Sequence, residues 1–166
     1  MFVLGSFSEV KDSIVKVLSG RKVFIIGVGN DLRGDDYVGS YVASNLRLRG
    51  LNNVVDAGLS PESFLGIAVN ARPEVVVFID AVKAGLNPGF LVFGSLKEIE
   101  ELEVVFPTTH KPSYSMLRRY LEYMLPKAEQ YLLGIQVSDI SFGSPMTSNV
   151  KRTADILVKF LSTLLQ

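Results

Sequence analysis

The chain has 166 residues, the size of one compact domain and enough to bury a substantial apolar core. It is 48% hydrophobic and 20% charged with a formal net charge of zero, which excludes a disordered chain and a nucleic-acid binder that works through a basic surface. There is no cysteine, so disulfides, thiolate metal sites and a cysteine nucleophile are excluded, and the strong metal ligands left are oxygen and nitrogen.

Residues 1–21 read as an N-terminal helical extension of a single domain spanning 1–166. Ser6 and Glu9 have capping-box spacing, and Phe7, Val10, Ile14, Val17 and Leu18 share a helical face before Gly20. This stretch has neither an apolar run long enough for a bilayer nor a basic segment leading into an apolar one, which predicts a cytoplasmic protein without membrane insertion. Residues 23–28 form a continuous apolar run ending in Gly29-Asn30, the pattern of a parallel strand covered on both faces. A helix is predicted from Tyr37, with Val38, Tyr41, Val42 and Leu46 inward and Gly50 as its stop, followed by a short strand at 54–56.

Ser60-Pro61-Glu62 starts another helix, with Phe64, Ile67 and Ala68 inward, ending before Pro73. Residues 75–80 are a buried strand closed by a carboxylate. The turn-rich residues 85–89 lead into a strand at 90–93 too soon for a helical crossover, which predicts an antiparallel edge. Residues 97–103 are acidic and read as solvated. A helix then carries Leu117, Tyr120, Leu121 and Met124 inward, a strand occupies 131–136, and a closing helix presents Val150, Ala154, Leu157, Leu161 and Leu164. Together these predict a three-layer α/β sandwich, with a mostly parallel five-stranded sheet, one antiparallel edge strand and helices on both faces.

In such sheets ligands collect beyond the C-terminal strand ends, where the loops bring Asn30, Asp36, Gly58 and Asp80 together. A single aspartate there usually caps a helix or accepts loop hydrogen bonds. Asp80 closes a wholly apolar strand, however, where an ionised carboxylate needs a cation or donors. With His110, the only histidine, Asp36 and Asp80 make an oxygen and nitrogen set suited to nickel, zinc or iron, with positions open for substrate or water. Asp35 is expected to cap the following helix while Asp36 points into the cleft, although adjacent carboxylates can exchange such roles; Asp56 is expected to accept backbone N–H groups from its own loop.

The segments Gly27-Val28-Gly29-Asn30-Asp31-Leu32-Arg33-Gly34-Asp35-Asp36, Asp56-Ala57-Gly58 with Ser60-Pro61-Glu62, Ile79-Asp80-Ala81 with Gly85-Leu86-Asn87-Pro88-Gly89, Thr108-Thr109-His110, Gly134-Ile135-Gln136 and Ser144-Pro145-Met146-Thr147 resemble, in order, the endopeptidases that mature the large subunits of nickel-iron hydrogenases. The resemblance covers about residues 22–165. It implies a protease that removes the C-terminal extension of a hydrogenase large-subunit precursor after nickel insertion. It also implies Asp36, Asp80 and His110 as catalytic and metal-binding residues, with Asn30, Asp35, Asp56, Gly58 and Thr109 in support. The metal expected is nickel supplied by the substrate, or another divalent ion, and the expected assembly is a monomer or weak homo-oligomer. Tyr37 stands where the family commonly has glycine, and Val137 where some relatives have proline.

Two other readings compete. Gly27-Val28-Gly29 between strand and helix suggests a nucleotide-binding α/β domain, but Leu32 occupies the place of the third glycine. The two glycines instead let the backbone turn sharply and pass close to a bound peptide. A non-catalytic chaperone that senses the metal of the large subunit would carry the same ligands.

Overall fold

The computed structural model describes residues 2–102, 104–107 and 113–166. Among them the strands are β1 (Val3–Gly5), β2 (Val23–Gly27), β3 (Val54–Asp56), β4 (Val75–Val82), β5 (Leu91–Ser95) and β6 (Glu129–Gln136), in one sheet of order β1-β5-β6-β4-β2-β3. β3, β2, β4 and β6 are parallel, while β5 is antiparallel to both of its neighbours. The mostly parallel α/β sheet is as expected, with six strands rather than five. Val3–Gly5 is too short to show a two-residue period, yet it pairs with β5 and covers the edge β5 would otherwise present. The antiparallel strand predicted as an edge is therefore an inner one, and the N-terminal extension holds a strand as well as a helix.

The helices are α1 (Phe7–Leu18), α2 (Val38–Leu48), α3 (Leu65–Ala71), α4 (Leu96–Glu101), α5 (Tyr114–Met124) and α6 (Ser148–Leu164), with 3-10 turns at Gly34–Tyr37 and Pro61–Phe64 leading into α2 and α3. Strand residues alternate between two cores. Ile25, Val77, Ile79 and Leu133 pack with α1, α2 and α6, while Phe24, Ile26, Val76, Phe78 and Leu132 pack with α3, α4 and α5. No helix among the described residues is long and apolar enough to cross a membrane.

The helices on the second face bury narrower stripes than their composition suggests. α3 buries Leu65 and Ala68, three residues apart, and this turns Ile67 outward. α5 buries only Leu117 and Leu121, leaving Tyr120 and Met124 exposed. Most of the acidic stretch read as solvated falls in α4, because Leu96 and Ile99 bury one face and Ser95 with Glu98 form a capping box. The Glu98 N–H donates to Ser95 Oγ (3.2 Å) and the Ser95 N–H donates to Glu98 Oε1 (3.1 Å). Ser95→Ala is expected to lower stability by about 1 kcal/mol, seen as a lower urea midpoint with an unchanged slope.

Candidate active site

The loop leaving β2 is closed by its own backbone. The Val28 N–H donates to the Ile79 carbonyl (2.9 Å), Gly29 N–H to Gly58 O (2.9 Å) and Asn30 N–H to Asp36 O (3.1 Å). Asn30 Oδ1 accepts the Leu32 N–H (2.9 Å). Asn30 and Gly58 thus shape the turn that delivers Asp36. A Cβ on Gly29 would lie 2.7 Å from Asp36 O, and one on Gly39 would overlap the carbonyl oxygens of both Ile79 and Val28. One on Gly27 would collide with α2 at Gly39 and Ala43. In the direction a Cβ would take, Gly27 and Gly29 face α2 and the turn before it rather than open space. This main-chain contact sets the 3-10 turn, and Asp36 with it, against the C-terminal end of β4.

Asp80 lies near that end, on the face shared with Phe78 and Val82, and both Asp36 and Asp80 are fully buried. Asp80 Oδ1 accepts the N–H of Ala81 (2.8 Å), and Oδ2 accepts the hydroxyl of Tyr114 (2.8 Å). The Tyr114 ring is seated edge-on to Phe78, centroids 5.3 Å apart, and tilted against Phe106 at 4.7 Å. Burial, then the charge of Asp80 and its hydrogen bond, then the charge of Asp36, push the phenol well above its usual range near 10. Tyr114 thus keeps its proton and donates it, and both carboxylates bear on the same hydroxyl. Sequence reasoning missed this residue; its one signal is position, at the first turn of the helix that follows the His110 segment.

Asp35 points elsewhere. Rather than capping α2, its fully buried carboxylate accepts the N–H groups of Ser138 (2.8 Å), Asp139 (3.0 Å) and Thr147 (2.6 Å), and the Thr147 hydroxyl (2.8 Å to Oδ2). It braces the loop between β6 and α6 against the Asp36 turn. Asp56 accepts the Gly58 N–H (3.1 Å), as expected, and the Ser44 hydroxyl (3.0 Å). Tyr37 packs edge-on against Tyr41 at 6.0 Å, and burial together with the charges of Asp56 and Asp31 raises its pKa. Gln136 Oε1 accepts the N–H groups of Ala84 (2.8 Å) and Leu86 (3.2 Å), anchoring the start of the Gly-Leu-Asn-Pro-Gly loop.

Thr109 and His110 lie outside the described residues. Among the described residues no three metal-ligating side chains converge. Asp36 and Asp80 are hard oxygen donors withdrawn from solvent, a donor type that suits a divalent cation.

The family model of HycI, hydrogenase maturation protease, matches residues 37–163. The hydrogenase 3 maturation protease of Escherichia coli K12 is 30% identical over 139 residues, covering 82% of this chain and 86% of that protein. Among solved structures, the NiFe hydrogenase maturation protease HycI of Thermococcus kodakarensis KOD1 superposes with a TM-score of 0.80 at 25% identity, covering 92% of this chain and 98% of that one. The solution structure of the endopeptidase HycI from Escherichia coli gives 0.68 at 28% identity, covering 87% and 89%. The chain belongs to the HycI family of hydrogenase maturation proteases.

Proposed function

We propose that this endopeptidase removes the C-terminal extension of a nickel-iron hydrogenase large-subunit precursor once nickel is in place, and that Asp36, Asp80 and His110 grasp the nickel the precursor carries. The observation that carries this reading is the full burial of two carboxylates, Asp80 near the C-terminal end of β4 and Asp36 on the 3-10 turn that packs against β4. Nickel is then part of the substrate, and its presence reports that cofactor assembly is finished. A divalent ion at such a place supplies Lewis acidity toward a carbonyl or a water. The protein's own contribution is a carboxylate, Asp80, held in one direction, a second, Asp36, carried on a turn locked to the same strand, and a loop braced by Asp35 beside them.

Incubation with nickel-loaded and nickel-free precursor, followed by the mass of the large subunit, tests this directly. The expected result is loss of a C-terminal peptide from the loaded form alone. Equal cleavage of both forms removes nickel as the recognition element. Binding of the loaded precursor with no mass change makes the protein a metal-sensing chaperone.

A further inference from the structure

We propose that Tyr114 is a positioning residue for the cleavage reaction: its hydroxyl holds the Asp80 carboxylate in the direction from which it meets the metal of the precursor. This rests on the function proposed above.

A carboxylate at a strand end rotates about its last side-chain bond unless both oxygens are held. Here one oxygen takes the Ala81 N–H at 2.8 Å and the other the Tyr114 hydroxyl at 2.8 Å. The first donor is main chain inside β4 and cannot move without the strand. The second belongs to a side chain whose ring is seated against Phe78, on the same face of the same strand, and against Phe106. Phe78 and Asp80 are two residues apart on β4, so the strand that carries the carboxylate also carries part of the seat of its donor. The arrangement has the form of an outer hydrogen bond to a ligand: a rigid donor on the ligand oxygen, itself fixed by packing.

Nothing in the packing of α5 requires the hydroxyl. Leu117 and Leu121 anchor the helix in the core, and phenylalanine at position 114 would keep both ring contacts. Tyr114→Phe is therefore a narrow test. With nickel-loaded precursor its kcat is expected to fall about 10–100-fold, the usual cost of losing such an outer partner, with KM close to wild type. In the precursor-free protein the Ala81 amide resonance is expected to shift or broaden as the carboxylate begins to rotate, a change that loss of packing elsewhere would not produce. Phe106→Leu, which keeps the hydroxyl and loosens its seat, is expected to fall between wild type and Tyr114→Phe by both readouts, and it serves if Tyr114→Phe does not fold. Wild-type kcat in Tyr114→Phe overturns the proposal, and so does a lost kcat with the Ala81 resonance unmoved. If the wild-type protein cleaves no precursor, the functional reading fails, while the Ala81 resonance still decides whether Tyr114 fixes Asp80.

Discussion

Gly39→Ala is expected to cost about 3 kcal/mol or more, a large part of the roughly 5–15 kcal/mol that holds a domain of this size together. The new methyl group would overlap two carbonyl oxygens, those of Ile79 and Val28, and neither belongs to a flexible side chain. Relief requires lifting α2 off the sheet, which opens the core where Val38, Val42 and Leu46 are buried, or breaking the Val28 to Ile79 hydrogen bond at the end of the β2 and β4 ladder. Denaturant titration reads the loss. Gly66→Ala, in α3 with open space around its Cβ position, is the matched control and is expected to stabilise by about 0.5–1 kcal/mol. An unshifted midpoint for Gly39→Ala would show that α2 does not sit on the strands as described. Processing is expected to fall further than stability, because any lift of α2 carries Asp36 away from Asp80.

Asp35→Ala is expected to be the second most damaging change. It deletes an acceptor that satisfies three backbone N–H groups and a hydroxyl, all from the loop after β6. A buried donor left without a partner costs about 1–3 kcal/mol, so with water entering to satisfy some of them the net loss should be about 3 kcal/mol. The loop rather than the sheet takes the damage. Amide exchange at Ser138, Asp139 and Thr147 is expected to accelerate strongly, while amides in β4 follow only the global loss. Asp35→Asn keeps the shape but turns an amide N–H₂ toward one of the donors, and is expected to fall short of rescue. Unchanged exchange at Ser138 and Thr147 in Asp35→Ala would remove Asp35 from the role of brace.

Much of the fold is legible in the residue pattern, because strands covered on both faces read as unbroken apolar runs and the amphipathic helices between them read by period. What escapes has a physical reason in each case. Val3–Gly5 becomes a strand only because β5 offers it an edge. The capping box at Ser95 and Glu98 is the same signal as that at Ser6 and Glu9, but it stands among charges that average to a solvated surface. In the site, Asp80 is conspicuous because it interrupts an apolar strand. Asp35 and Asp36 are chemically identical neighbours, and only the three-dimensional course of the 138–147 loop tells which one is used as an anchor. Tyr114 is invisible for a related reason, since its partner is 34 positions away and a tyrosine opening a helix is unremarkable by type.

The contact of Gly39 with Ile79 also bears on how the site treats whatever enters it. Main chain resting on main chain leaves no rotamer to adjust, so the spacing between the turn that carries Asp36 and the strand that carries Asp80 works as a gauge block, independent of how the surrounding core side chains are chosen or how they fluctuate. On the metal-binding role proposed above, a site with such a fixed gap would not reshape itself to its guest: an ion of the wrong radius, or one presented at the wrong angle, would leave one carboxylate short. The glycine that reads in the sequence as an undistinguished helix residue is therefore the part of the fold that sets this spacing.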